Sequence, residues 1–242
     1  MIAEYRSSDW ESYVMDWHGD PHPRMEAPED EIVEIDSALS ALVDRGILAH
    51  RSYDRDLFLA HRQAVREQFE IPWTGISPRM QRLLYAINAV TQPDVMVAMG
   101  VFCGNTFISN AGAAIGPGAC YEAKRLVGIE IVGPEANRAR RNVATVDPDG
   151  RAEILGIDGV DWLAGFDGLI DLLYIDADGS YMKIIEAAIG KLRTGSLVLA
   201  HNSVNLYDEL AEYLSFVRDP ARSSVSMNMI IDDQGLEASL WK

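Results

Sequence analysis

Acidic and polar side chains follow the apolar runs of this sequence, each at the point where a run ends. The acids are Glu130, Asp158, Asp176 and Asp178, and a later run ends in His201, Asn202 and Ser203. A carboxylate beside an apolar core needs a partner or a function, because an unpaired charge is costly to bury. Side chains of these types can hold the polar groups of a ligand and exchange a proton with it. We therefore predict that they form a ligand site.

A glycine turn precedes these acids in the chain. Gly100 and Gly104 separate the apolar residues 94–99 from the Ala-rich segment 107–115. A strand, a glycine turn and a helix in this order allow a ligand to lie against bare backbone at the helix N-terminus. In doubly wound sheets, an acid at the tip of the next strand holds the ribose hydroxyls of a nucleotide-like ligand, and Glu130 stands in that place. The simpler alternative is that Glu130 is a solvated strand end.

The elements that must position these residues alternate between apolar strands and helices. This alternation predicts an α/β fold with a Rossmann-like, doubly wound sheet that is mostly parallel and has right-handed crossovers. Two closing runs joined by residues 232–235 predict a C-terminal hairpin that adds an antiparallel strand. Because the parallel strands end at one edge, the polar residues that follow them should lie together there. The predicted strands are residues 94–99, 126–131, 152–155, 169–175, 195–200, 225–231 and 236–241.

The first third of the chain has a helical pattern. Apolar residues recur at helical spacing between residues 30 and 70, and Ser77 followed by Pro78 is a typical helix start. We therefore predict a helical N-terminal extension over residues 1–77 and a ligand-binding α/β domain over residues 78–242. A homodimer formed through the extension is a further expectation.

Aromatic residues are dense near the N-terminus. Trp10, Tyr13 and Trp17 are spaced at i, i+3 and i+7, the spacing of one helix face. This predicts either a helix that packs on its own domain or, together with Tyr5, a lid whose rings close the ligand pocket and face a cation. Tyr181, which follows the acids of the fourth strand, is expected in the core or, as the alternative, facing the ligand.

Composition narrows the class of partner. The net charge of −16 disfavours a nucleic acid and leaves a small molecule as the expected substrate. No run approaches the ~18 apolar residues of a membrane span. The first residues lack the apolar region of a signal peptide, so we expect a cytoplasmic protein. Cys103 and Cys120 have no zinc-ligand spacing and suggest no disulfide framework.

Six segments of residues 78–242 together point to a known family. They are Gly100-Val-Phe-Cys-Gly-Asn-Thr106, Gly128-Ile-Glu-Ile131, Gly156-Ile-Asp-Gly159, Asp171-Leu-Leu-Tyr-Ile-Asp-Ala-Asp178, Gly195-Ser-Leu-Val-Leu-Ala-His-Asn202 and Gly235-Leu-Glu-Ala-Ser-Leu240. In this order they resemble a class I S-adenosylmethionine-dependent methyltransferase, and within that class the catechol O-methyltransferase-like small-molecule family. Each segment alone is common, and their joint order is specific.

The resemblance implies that S-adenosylmethionine binds at the strand ends. It implies that Gly100 and Gly104 accommodate the methionine part and that Glu130 binds the ribose. It also implies that Asp158 lies near the adenine and Asp176 near the amino group of the ligand. The implied cofactor-binding set is Gly100, Val101, Phe102, Gly104, Thr106, Glu130, Asp158, Gly159 and Asp176.

The chain also departs from the family pattern. The family has an acid two residues before the first glycine, where this chain has Ala98. Its metal site uses an Asp at the position of Asp176 and an Asp-Asn pair on the next strand, but here the pair is His201-Asn202. Its lysine base is replaced by Gly179. Since oxygen ligands suit Mg²⁺, we expect no metal and no lysine base in this protein.

Two reactions fit what remains. In the first, the methyl group passes in line to an O, N or C nucleophile of a bound acceptor, with His201 or Asp178 as candidate base. In the second, the α-amine of S-adenosylmethionine attacks its own γ-carbon, which forms azetidine-2-carboxylate and releases methylthioadenosine. A non-catalytic S-adenosylmethionine-binding protein is a third possibility, but the ligand acids are all present.

Simpler roles remain open for the candidate catalytic residues. His201 could be a strand-end histidine that is hydrogen-bonded to a neighbour, and Asn202 and Ser203 could cap the next helix. The candidate catalytic set is Asp176, Asp178, His201, Asn202 and Ser203.

Overall fold

A computed structural model describes residues 3–13, 26–73 and 75–242 of the chain. In this part of the chain, eight strands form one sheet in the order β1-β7-β8-β6-β5-β2-β3-β4. Neighbouring strands are parallel, except that β8 is antiparallel to both β6 and β7. The predicted doubly wound sheet with an antiparallel C-terminal strand is therefore confirmed. The strands are β1 (Ala3–Arg6), β2 (Val95–Met99), β3 (Arg125–Ile129), β4 (Ala152–Leu155), β5 (Ile170–Ile175), β6 (Leu192–His201), β7 (Ser223–Ile230) and β8 (Leu236–Trp241).

Helices cover both faces of the sheet. Successive side chains of a strand point to opposite faces, so a strand covered on both sides is apolar throughout. In β2, Met96 and Ala98 belong to the core shared with the helices over residues 28–44, 55–68, 78–91, 105–111 and 133–146. Val97 and Met99 belong to the core shared with the helices over residues 159–165, 181–188 and 211–217. The helices are α1 (Pro28–Asp44), α2 (Arg55–Gln68), α3 (Pro78–Thr91), α4 (Asn105–Ala111), α5 (Gly133–Val146), α6 (Gly159–Gly165), α7 (Tyr181–Ala188) and α8 (Ala211–Val217).

Local signals place the starts of several helices. Ser77 accepts a hydrogen bond from the Met80 N–H at 3.0 Å, and Pro78 begins α3, as the sequence predicts. The helix that follows residues 201–203 begins only at Ala211, because turns occupy residues 203–210, so Asn202 and Ser203 do not cap it. None of the helices in residues 3–13, 26–73 and 75–242 is long and apolar enough to cross a membrane.

A buried ion cluster joins the first three helices. Glu31 of α1 accepts two hydrogen bonds from Arg62 of α2, at 2.6 and 2.8 Å, and one from Arg82 of α3 at 2.7 Å. All three side chains are buried. The pairing of one carboxylate with two guanidinium groups anchors α1 and α2 on the helix that leads into β2.

The N-terminal aromatic segment is not the predicted helix. Tyr5 lies in β1, which pairs with β7 as a parallel edge strand, and turns follow at residues 8–12. The prediction of one helix through Trp10 and Tyr13 is therefore wrong for the described residues. Trp17 lies outside them. The physical reason is that β7 offers a free edge to which the backbone of residues 3–6 bonds, and a helical spacing of aromatic residues contains no information about such an edge.

Candidate functional site

A cavity of about 590 Å³ opens at the carboxyl ends of the central strands. Met99 and Gly100 from the end of β2, Glu130 from the end of β3 and Asp176 from the end of β5 line it. Strand order reverses between β5 and β2, which makes this the switch point of the sheet, where ligands of such folds bind. The volume falls in the range of roughly 300–1,000 Å³ that is usual for small-molecule sites.

The glycine turn brings backbone to the cavity wall. Gly100 has φ +78°, and a Cβ at this position would lie 2.0 Å from the carbonyl oxygen of Asp176, so only glycine fits. Gly104 has φ +91° and is the N-cap residue of α4. Phe102 between them has φ +48° and lines the cavity together with Asn105 and Thr106. The turn therefore brings Asn105 and Thr106, the first residues of α4, to the cavity wall.

Glu130 connects the turn to the next helix. Its Oε2 accepts a hydrogen bond from the Phe102 N–H at 2.8 Å, and its Oε1 accepts one from the Val132 N–H at 2.9 Å. Only 8% of the side chain is exposed. A carboxylate has about four acceptor positions, so each oxygen can accept a further bond from a ligand hydroxyl in the cavity. Glu130 is therefore more than a solvated strand end.

Asp158 has a structural role in addition to its place at the cavity. Its Oδ1 accepts hydrogen bonds from the N–H groups of Val160 at 2.8 Å and Asp161 at 3.0 Å, which caps α6. Gly159 follows it in the cavity wall, and a Cβ there would lie 2.9 Å from the Met99 sulfur. The cap fixes the wall segment and orients the carboxylate.

Asp176 is held by two nitrogen-bearing side chains from the end of β6. The Asn202 Nδ2 donates a hydrogen bond to Oδ1 at 3.0 Å, and the His201 Nδ1 lies 3.3 Å from Oδ2. The histidine contact has an ion-pair distance but not the angle of a well-aligned hydrogen bond. Asp176 and Asn202 line the cavity, whereas His201 is 1% exposed and lies behind them.

Charges around His201 favour its protonated form. Burial alone would lower its pKa, but the negative charge of Asp176 and the contact with it, together with Asp232 and Asp233, raise the pKa of His201 above its usual value.

Asp178 is the second acid of the β5 end that lines the cavity. Burial, and then the negative charges of Asp176 and Glu209, raise the pKa of Asp178, while His201 opposes them. A carboxylate with a raised pKa holds a proton more tightly than an ordinary aspartate does. Asp178 is therefore the lining residue best suited to accept a proton.

Besides Gly104, His201 and the described N-terminal aromatic residues, three further predicted residues lie outside the cavity lining. Val101 is buried in the main core. Ser203 is fully buried and donates a hydrogen bond to the Asn228 Oδ1 at 2.7 Å. Tyr181 packs edge-on against Tyr213 in the opposite core, and its hydroxyl accepts a long 3.4 Å bond from Asn202. Their positions fit structural roles, because each points into packed protein rather than into the cavity.

The described N-terminal aromatic residues also contact protein rather than the cavity. The Tyr5 hydroxyl donates to Glu34 at 2.8 Å. The Trp10 ring has the Arg6 guanidinium 5.3 Å from its centroid, and the Tyr13 ring has that of Arg79 at 4.2 Å. The cations that these rings face are therefore arginines of the same chain.

Sequence reasoning missed the apolar wall of the cavity. Trp73 and Phe102 line it with their ring centroids 4.6 Å apart. Ile131 and Ile157 form an exposed apolar rim, with 66% and 41% of their surface accessible. The sequence around Trp73 indicates only the end of a helix, so the aromatic side chain was the one sign that this residue could line a ligand cavity. Exposed isoleucines next to Glu130 and Asp158 were a second signal.

Comparison with known proteins shows what the central part of the chain is similar to. Residues 97–203 match the sequence model of a family described as a methyltransferase domain. This segment of the chain therefore resembles a methyltransferase domain. No curated protein sequence matches the chain.

Solved structures share the fold of this chain at low sequence identity. An O-methyltransferase from Bacillus cereus, in complex with SAH, is 15% identical with a TM-score of 0.59, over 85% of this chain and 97% of that one. The SAH-bound methyltransferase PaMTH1 from Podospora anserina is 13% identical with a TM-score of 0.64, over 90% and 98%. The O-methyltransferase TomG from Streptomyces achromogenes, involved in tomaymycin synthesis and in complex with SAM, is 20% identical with a TM-score of 0.58, over 79% and 92%. The predicted family resemblance is confirmed.

The cavity at the strand ends suits S-adenosylmethionine. The glycine turn that only glycine can form, the Glu130 oxygens with room for further bonds and the apolar rim beside Asp158 occur in one wall. The acidic lining also complements the positive sulfonium and ammonium groups of S-adenosylmethionine.

The same strand ends do not offer Mg²⁺ the donors that this ion prefers. The side chains at the position that the family uses are one carboxylate, one amide with its nitrogen towards that carboxylate, and one imidazole. Mg²⁺ takes oxygen ligands in near-octahedral geometry. Within the described residues, no group of three or more His, Cys, Asp or Glu side chains is arranged to hold a metal ion.

Proposed function

We propose that this protein transfers the methyl group of S-adenosylmethionine to an oxygen nucleophile of a small-molecule acceptor, without a divalent cation. The observation that carries the proposal is one cavity lined by the glycine turn, by Glu130 and by Asp178. The turn and Glu130 suit the cofactor, and Asp178 leaves a proton acceptor beside it. An oxygen acceptor agrees with the O-methyltransferase activity named for the structures from Bacillus cereus and Streptomyces achromogenes.

The residues divide between cofactor and acceptor. We assign the methionine part to the turn of Gly100 and Gly104, the ribose to Glu130 and the adenine to the wall at Asp158. Asp176 suits the ammonium group, because its carboxylate lines the cavity and is held in place by Asn202. Asp178, Asn205 and Leu206 line the remaining part of the cavity and are left for the acceptor.

The protein contributes position and a base. When bound, S-adenosylmethionine supplies a methyl group whose bond to sulfur breaks as the bond to the acceptor oxygen forms. The acceptor hydroxyl loses its proton, and Asp178 is the group that takes it, so that the hydroxyl becomes a stronger nucleophile as the new bond forms. Holding both molecules in line in one cavity removes most of the entropic cost of their encounter.

Charge defines the class of acceptor. The charged side chains that line the cavity are Glu130, Asp158, Asp176 and Asp178, and no basic side chain of the described residues joins them. An acceptor that carries a carboxylate or a phosphate would meet like charge at short range, which is strongly unfavourable in a partly dry site. We therefore propose a neutral or cationic hydroxylated acceptor, with the Trp73 ring as an apolar surface for it.

Cyclisation of S-adenosylmethionine is the alternative that the test must distinguish from methyl transfer. It requires a closed chamber, but Tyr5, Trp10 and Tyr13 contact Glu34, Arg6 and Arg79 instead of the cavity. No described contact therefore favours it over methyl transfer. The homodimer and the cytoplasmic location expected from the sequence stay predictions.

The test is to incubate the pure protein with S-adenosylmethionine, alone and with a panel of neutral, cationic and anionic hydroxylated compounds. We expect S-adenosylhomocysteine only when a neutral or cationic acceptor is present. If methylthioadenosine forms without an acceptor, the reaction is cyclisation and the proposed methyl transfer is wrong. Turnover restricted to anionic acceptors would contradict the assignment of acceptor charge while leaving methyl transfer intact.

A further inference from the structure

The end of β6 differs from the pattern of the family that the sequence resembles. That family has an aspartate where this chain has His201, next to the asparagine that corresponds to Asn202. Here the Nδ1 of His201 lies 3.3 Å from the Oδ2 of Asp176, and the Nδ2 of Asn202 lies 3.0 Å from its Oδ1. Each oxygen of the Asp176 carboxylate thus faces one nitrogen from the neighbouring strand end.

Burial makes this arrangement rigid. His201 is 1% exposed and Asn202 is 7% exposed. His201 lies at the last pair of the β6–β8 ladder, opposite Leu236, and Asn202 adopts the left-handed conformation with φ +64°. The strand pair and the turn therefore fix the backbone of both residues, and burial restricts their side chains.

Two further acids, Asp232 and Asp233, act on the imidazole of His201. They lie in the turn between β7 and β8 and act together with Asp176. The Asp232 carboxylate itself accepts hydrogen bonds from the Ser77 hydroxyl and from the N–H groups of Gln234 and Gly235. His201 therefore places a ring nitrogen beside the Asp176 carboxylate, at the position where the family pattern has a metal-ligating aspartate.

We propose that His201 and Asn202 hold the Asp176 carboxylate in place, where the family pattern has a divalent cation; we call this arrangement the clamp. Replacing His201 by aspartate should then turn this strand end into a cation site. His201 is a positioning residue, because it contacts Asp176 and not the cavity. The inference deepens the proposed function and rests on it for its activity readout. Its binding readout is independent of any acceptor.

The substitution that tests the clamp is His201→Asp. It would place two carboxylates and one amide, all with oxygen donors, at neighbouring strand ends, which is a ligand set that Mg²⁺ and Mn²⁺ accept. The matched control is His201→Asn, which removes the imidazole without adding a carboxylate. Mn²⁺ binding is measured by electron paramagnetic resonance and calorimetry on the full-length wild type and on both variants, together with the Tm in the absence and presence of Mn²⁺.

We expect no stoichiometric Mn²⁺ binding to the wild type or to His201→Asn. We expect one Mn²⁺ bound to His201→Asp, with a Tm that rises as Mn²⁺ is added, because an ion that binds only the folded state stabilises it. With a turnover assay in hand, kcat/KM of His201→Asn should fall about 10–100-fold, the effect of losing one contact to a charged group.

Stoichiometric Mn²⁺ binding to the wild type would overturn the proposal, and so would a folded His201→Asp that binds none. If His201→Asp does not fold even with Mn²⁺, measurements on the wild type and on His201→Asn still test the proposal. A wild type that binds no Mn²⁺ and an asparagine variant with reduced kcat/KM would support the clamp, whereas undiminished kcat/KM in that variant would overturn it. Failure to find an acceptor would count against the proposed function but would leave the Mn²⁺ result intact.

Discussion

Replacing Glu130 by alanine removes the carboxylate that joins the glycine turn to the start of α5 and that we assign to the ribose. In the wild type its two oxygens accept hydrogen bonds from Phe102 and Val132 at 2.8 and 2.9 Å and line the cavity. A hydrogen bond to a charged group contributes about 1.5–3 kcal/mol. The loss of the bonds to two ribose hydroxyls therefore amounts to ~3–6 kcal/mol, which corresponds to an increase in Kd of about 10²–10⁴-fold.

The assay is calorimetric titration of the variant with S-adenosylhomocysteine, which avoids turnover. Glu135→Ala is a matched control, because this acid lies in the first turn of α5 and pairs with Arg138 outside the cavity lining. We expect its Kd to stay within about twofold of the wild type. Glu130→Gln should fall between the two, since one amide oxygen can satisfy only one of the two backbone N–H groups.

One result would refute the ribose assignment. If Glu130→Ala is folded and its Kd stays within about threefold of the wild type, the carboxylate contributes less than one ordinary hydrogen bond to binding. Its role would then be limited to the Phe102 and Val132 backbone. The Tm of the variant must be measured as well, because the two N–H groups lose their partner and some stability is lost with it.

Three further predictions concern the base, the cation and the helical extension. Asp178→Asn should lower kcat about 10²–10⁴-fold with little change in the Kd for S-adenosylhomocysteine. In the wild type, kcat should rise with pH through the raised pKa of Asp178, because only the ionised carboxylate can accept a proton. An unchanged kcat in Asp178→Asn would exclude Asp178 as the base. Excess chelator should leave turnover unchanged, and a loss that Mg²⁺ restores would show that a cation takes part. Glu31→Gln should lower the free energy of unfolding by about 3–5 kcal/mol in urea titrations, because Arg62 and Arg82 would lose their buried counter-charge. Burial opposes ionisation of Glu31, but both arginines outweigh burial and lower the pKa of Glu31. The contribution of Glu31 to the free energy of unfolding should therefore be complete above about pH 4.5 and should be lost as the pH falls through the lowered pKa. A free energy of unfolding that does not change with acid would contradict this.

The order of elements and the cofactor side of the site could be predicted from the sequence. Apolar runs, a glycine turn and the acids at run ends are local features, and the carboxyl ends of parallel strands necessarily meet at one edge. Gly100, Glu130, Asp158 and Asp176 are therefore found together where the predicted topology requires them. The antiparallel strand β8 was also predictable, because a short polar turn between two apolar runs leaves little choice but a hairpin.

Only the tertiary structure decided which strand-end side chains reach the cavity. His201, Asn202 and Ser203 are consecutive, yet only Asn202 lines it, because each residue after a strand points in a direction set by the neighbouring strands and turns. Trp73 reaches the cavity from a segment distant in sequence, and β1 joins the sheet at an edge made by β7. Such contacts depend on the positions of partners far along the chain. The sequence determined what chemistry stands at the strand ends, and the packing of distant segments decided which of those groups a ligand can touch.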